Sequence, residues 1–147
     1  MCVPAVAAPR RRPVLGPIAD GALGARGRTV AAMPTPSLTE AVRRELLVRS
    51  QVTENAHGRG GVEFRLGRRE LGHLHGDHMA DLPFTRAVRD GLVAAGRARP
   101  HHVLPDSGWV TRSVHGPEDI EAIVELFRLS YERAVAARSR TPEAASA

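Results

Sequence analysis

His73 and His75 are the residues best placed to do chemistry in this chain: two imidazoles two positions apart, just after a glycine-led turn at Gly67-Arg68. A neutral imidazole serves as a general base near physiological pH or as a metal ligand, and a spacing of two puts both rings on one face of a strand. With Gly67-Arg68 as a two-residue hairpin loop, the ladder is expected to pair Leu66 with Arg69, Arg65 with Glu70, Phe64 with Leu71 and Val62 with His73. That register sets His73 and His75 on the apolar face with Val62, Phe64, Leu66 and Leu71, and leaves Arg65 opposite Glu70 on the other. Such a placement suits a buried base, a ligand contact or half of a metal site, and it equally suits hydrogen-bonded core histidines.

Further histidines lie elsewhere in the chain, with His101 and His102 ahead of Trp109 and with His57, His78 and His115 more isolated. His73, His75 and His102 form the nearest ligand set, without a cysteine and without an evident inward carboxylate, so the expectation is no bound metal and no cofactor. Glu70 reads as the cross-strand ion-pair partner of Arg65. Trp109 reads as a core anchor, and Ser107 has no assignable base. No glycine-rich phosphate loop follows a strand, no Gly-x-Ser-x-Gly elbow is present, and the single cysteine is Cys2, which argues against nucleotide-binding, serine-hydrolase and cysteine-hydrolase classes.

Helices and strands must deliver these residues. Ser37-Leu38-Thr39-Glu40 is a capping-box signature, followed by a helical stripe of Leu38, Val42 and Leu46 to about Ser50. Residues 55–61 read as a loop, and the hairpin follows from Val62 to His75. Asp81-Leu82-Pro83 reads as the opening of a second helix, with Phe84, Val88 and Leu92 as its stripe and Gly96 as its stop. A short strand is expected at His102-Val103-Leu104 and another at Trp109 to His115. The longest helix starts at Gly116-Pro117-Glu118-Asp119 and buries Ile120, Ile123, Val124, Phe127 and Tyr131, ending near Ala137. The order α-β-β-α-β-α predicts an α+β domain, a small antiparallel sheet with a tight hairpin packed against helices.

The 147 residues suffice for one domain. Residues 1–36 hold six of the eleven prolines, five arginines against one acid and no aromatic, and are expected to be a disordered tail, with translation from Met33 as the alternative start. A domain over 37–138 and a disordered end over 139–147 complete the expected organisation. The net charge of +5 is concentrated in that tail, so the body has no excess that would track a phosphate backbone. One cysteine and no membrane-length apolar run point to a cytoplasmic protein.

The run Arg69 to His75, then Asp81-Leu82-Pro83-Phe84, Gly96, His101 to Pro105, Ser107-Gly108-Trp109 and the final helix near Tyr131 together resemble the luciferase-domain family. The resemblance spans about Ser37 to Ala137. It implies a bacterial protein related to the luciferase of bioluminescent fungi, which oxidises a hydroxylated pyrone with molecular oxygen and without flavin. The family's pattern maps onto Arg69, Glu70, Leu71, His73 and His75, and onto His102, Leu104 and Trp109. By that resemblance His73 and His75 are the candidate catalytic residues, and His102, Trp109 and Arg69 the candidate substrate contacts. A small aromatic or enolic ligand is the implied partner, with no specific nucleic acid and no membrane. The chain differs from the family between the hairpin and Trp109. The alternative is a non-catalytic interaction or DNA-binding module, since the ending also resembles YjbR-type double-wing proteins.

Overall fold

The computed structural model describes residues 33–141. The expectations for the first 32 residues and for the last six lie outside them. Helix α1 (Leu38–Leu46) opens on the expected capping box, with the Ser37 hydroxyl accepting from the Glu40 amide and the Glu40 carboxylate accepting from the Ser37 amide. Its stripe of Leu38, Val42 and Leu46 is fully buried. The helix stops at Leu46, short of Ser50, because the chain turns through Gln51, at φ 67, into a strand.

Six strands follow in a mixed α+β fold: β1 (Val52–His57), β2 (Gly61–Leu66), β3 (Arg69–His75), β4 (Met79–Pro83), β5 (Arg99–Pro100) and β6 (Trp109–Ser113). They form one sheet in the order β1-β2-β3-β4-β6-β5 with every pair antiparallel. Helix α2 (Arg86–Ala94) joins β4 to β5, and α3 (Pro117–Arg140) closes the fold. The order is therefore richer than α-β-β-α-β-α, and three expectations need correction.

Residues 55–61 are not a loop, since Asn55, Ala56 and His57 complete β1 against β2. This is a polar edge strand, and its Thr53, Glu54 and Asn55 carry no apolar alternation to betray it. Asp81-Leu82-Pro83 does not open a helix. Ala80 and Leu82 point into the core and Asp81 to the other face, the alternation of a strand, and α2 starts only after Thr85, whose hydroxyl accepts from the Val88 amide at 3.3 Å. The short strand before Trp109 is at Arg99–Pro100, and His102-Val103-Leu104 is loop.

The core lies between one face of the sheet and helices α1 and α3. Phe64, Leu74, Leu82 and Val110 from the strands meet Ile123, Leu126 and Phe127 of α3, with the Phe64 and Phe127 rings edge to face at 5.7 Å. The two helices are tied by Arg128, which donates through Nε and Nη2 to both oxygens of Glu45 at 3.0 Å. Hydrogen bonds from Arg128, opposed by partial burial and reinforced by Arg49, hold the Glu45 carboxyl down at about 2 against its usual 4.5. A depressed carboxylate stabilises the fold above its unfolded value and ceases to as pH falls through its folded value. Stability is thus expected to decline between about pH 4.5 and 2, and Glu45→Gln to flatten that part of the profile in urea melts across pH.

Candidate functional site

The hairpin loop is at Gly67-Arg68 as the sequence predicts, and Leu66 pairs with Arg69 and Arg65 with Glu70. Beyond those two pairs the register departs from expectation. Phe64 pairs with Gly72, Glu63 with His73 and Val62 with Leu74, because Leu71 is an extra residue, a β-bulge. Gly72 makes the bulge possible: at φ 148 it adopts backbone closed to other residues, and a Cβ there would lie 2.8 Å from both the Asp81 carbonyl oxygen and Phe127 Cε1. Leu71 goes into the core, where its carbonyl accepts from the buried Ser130 hydroxyl at 2.8 Å.

The bulge inverts the alternation after Leu71. His73 and His75 therefore leave the Phe64 face and stand on the opposite side of the sheet, which corrects the expected placement. There they join a row running across four strands, Glu63, His73, Asp81 and Thr111, each paired with the next. His57 of β1 lies over this row, its ring stacked on His73 at 4.0 Å.

Asp81 is the hub. It is 0% exposed, and its Oδ2 sits 2.8 Å from His75 Nε2, 3.4 Å from His73 Nε2 and 3.3 Å from His101 Nε2, while Oδ1 accepts from the Thr111 hydroxyl. His73 is buried, at 8%, and its Nδ1 meets Glu70 Oε1 at 2.7 Å. Burial works against the His73 charge, but hydrogen bonds to Asp81 and Glu70 and their negative charges outweigh it and raise the ring to about 9. Burial likewise opposes the Asp81 charge, and the donors around it more than offset that and hold it well below the carboxylate range. His101 moves the other way, pushed down by burial and by the neighbouring His102 and His73 despite Asp81. Its Nδ1 accepts from the Val103 and Leu104 amides at 3.1 Å each, so its ring proton is on Nε2, facing Asp81.

A cavity of about 380 Å³ opens over this cluster, lined by His73, His75, Asp81, His101, His102, Val103, Leu104 and Trp109. Four of the five sequence-nominated residues, His73, His75, His102 and Trp109, thus meet around one cavity. Trp109 is half-buried at its wall, 5.5 Å from the His73 ring, not a core anchor. Arg69 is not brought there: it is exposed and lines surface grooves with Ala137, Arg138 and Arg140 of α3, on the helix side of the sheet. Glu70 holds His73, while Arg65 pairs with Glu63, which replaces the expected Arg65–Glu70 ion pair. Asp81 and His101 are the residues sequence reasoning missed. Asp81 also supplies the inward carboxylate whose absence underlay the expectation of no metal. Its signal was the alternation Ala80, Asp81, Leu82 between a glycine turn and a proline.

Residues 68–130 match the model of the Luciferase domain family. Over this segment the chain is similar to luciferase-domain proteins. No curated protein and no solved structure matches the chain. The matched segment contains every residue that lines the cavity, together with Glu70 and Thr111, whereas His57 and Glu63 lie upstream of it. Among the described residues, no helix is long and apolar enough to cross a membrane.

Proposed function

We propose that the cavity of this luciferase-like domain binds a small aromatic or enolic molecule, with oxidation by molecular oxygen as the reaction that the family points to. The observation that supports this reading is the division of one cavity into two kinds of wall. Val103, Leu104 and the Trp109 ring offer a surface for a flat apolar body, and His73, His75 and His102 beside Asp81 offer donors and acceptors for one acidic oxygen. At about 380 Å³ the cavity has room for a one- or two-ring molecule. His73 and His75 are the catalytic candidates, held by Asp81 and Glu70 in fixed orientation, and His102 and Trp109 the contacts to the bound ring.

Trp109 is the only tryptophan in the chain, so its fluorescence reports the cavity directly. Titration with 4-hydroxy-2-pyrones and substituted phenols is expected to give saturable quenching. His75→Ala is expected to weaken that binding by roughly 10- to 100-fold, the value of one hydrogen bond to a charged group. Oxygen uptake in an electrode with the tightest binder then tests the oxidation. Quenching that does not saturate, or that is equal for analogues lacking the hydroxyl, would remove the reading.

A further inference from the structure

We propose that His73, His75 and Asp81 bind one divalent first-row transition metal ion, a two-histidine, one-carboxylate set whose remaining positions face the cavity. This deepens the proposed function and rests on it only for what would occupy those open positions. Strand geometry places the donors: His73 and His75 are alternate residues of β3, and Asp81 is directly opposite His73 on β4. One nitrogen from each ring and one Asp81 oxygen lie within 4.8 Å of one another. An ion at about 2.1 Å from a nitrogen and an oxygen, at octahedral to tetrahedral angles, holds those two atoms roughly 3.0–3.4 Å apart. The two His Nε2 to Asp81 Oδ2 distances, 2.8 and 3.4 Å, bracket that range.

The surroundings complete the argument. The Glu70 carboxylate accepts from His73 Nδ1–H and leaves Nε2 directed at the site, the carboxylate–histidine arrangement that orients metal-bound imidazoles. The Thr111 hydroxyl donates to Asp81 Oδ1, and Oδ2 is the carboxylate oxygen turned toward the nitrogens of His73 and His75. A second set, Asp81, His101 and His102, is also close enough in space. It is disfavoured because His101 spends Nδ1 on two backbone amides, so its Nε2 keeps a proton and donates to Asp81. Two imidazoles and a carboxylate with open positions are the donor set of non-haem iron(II) oxygenases, and manganese, cobalt and zinc accept the same donors.

The test uses the whole chain, stripped with a chelator, and titrates Co²⁺ with no organic ligand present, following visible absorption and calorimetry. One Co²⁺ per chain is expected, with bands that a second equivalent does not increase. Affinity is expected to fall at least tenfold in His75→Ala, whose half-exposed side chain makes it the variant most able to fold, and about 10- to 100-fold in Glu70→Gln, which touches no metal. No saturable Co²⁺ binding overturns the proposal, as does binding that survives His75→Ala but is lost in His102→Ala. Hydroxypyrone quenching of Trp109 in the same chelated protein separates the two readings. Quenching without Co²⁺ binding refutes the metal alone, and Co²⁺ binding without quenching supports the metal while refuting the organic ligand.

Discussion

Gly72→Ala lowers the free energy of unfolding by roughly 2–4 kcal/mol, the sum of left-handed backbone strain and an overpacked contact. The methyl group would meet the Asp81 carbonyl oxygen and Phe127 Cε1, both at 2.8 Å, and neither can retreat: one is backbone of the adjacent strand and the other a core ring. Relief is available by sliding β3 one residue so that the bulge disappears. That slip would bring His73 and His75 to the core face and expose Leu74, so loss of stability and loss of cavity binding are expected together. Guanidinium melts give the first and Trp109 quenching the second. A Gly72→Ala protein within 0.5 kcal/mol of the parent, a margin typical of neutral surface changes, would show that the bulge does not depend on this glycine.

Asp81→Ala is expected to cost roughly 3–5 kcal/mol, because it leaves the Thr111 hydroxyl and three imidazoles without their common acceptor in a buried site. Asp81→Asn keeps the shape and one carbonyl oxygen, and is expected to cost about 1–3 kcal/mol. The ordering of the two is the informative part, since removal of volume alone from so small a side chain would not separate them. Urea unfolding of metal-free protein measures both. For comparison, Glu54→Gln, which breaks a surface pair with Arg43, is expected to change stability by about 0–1 kcal/mol. Equal stability for Asp81→Ala and the parent would mean that the histidines are held by the strands and not by the carboxylate.

Much of the fold was legible because local chemistry and global packing agree there. The Ser37 capping box, the Gly67-Arg68 loop and the apolar stripe of α3 are short-range patterns, and each appears where the sequence predicts. Four members of the site were also legible, unlike Asp81 and His101, since His73, His75, His102 and Trp109 do surround one cavity. Their face of the sheet was not. Period-two reasoning propagates along a strand until a bulge resets it, and the reset here was signalled only by a glycine within a run of strand formers. Asp-Leu-Pro is a common helix opening, so local pattern alone predicts Asp81 at the start of a helix. Only the pairing with β3 and β6, fixed by residues far away in sequence, makes it a strand residue. Arg69 shows the reverse error, as adjacency to the histidines along the chain does not survive the inversion of face.

The bulge at Leu71 makes the site a matter of counting as much as of chemistry. Deleting that one residue would remove the bulge yet leave Gly72 opposite Phe64, His73 opposite Glu63 and Leu74 opposite Val62, so that plain alternation from Glu70 onward would carry both imidazoles to the cavity face. A related chain that kept the two histidines but lacked the extra residue would still be expected to present them to this cavity, whereas one that kept the residue and paired without a bulge would turn them to the core. In such comparisons a single gap between Glu70 and His73 marks loss of the bulge and not loss of the cavity, while a substitution of Gly72 with the count unchanged threatens the cavity itself.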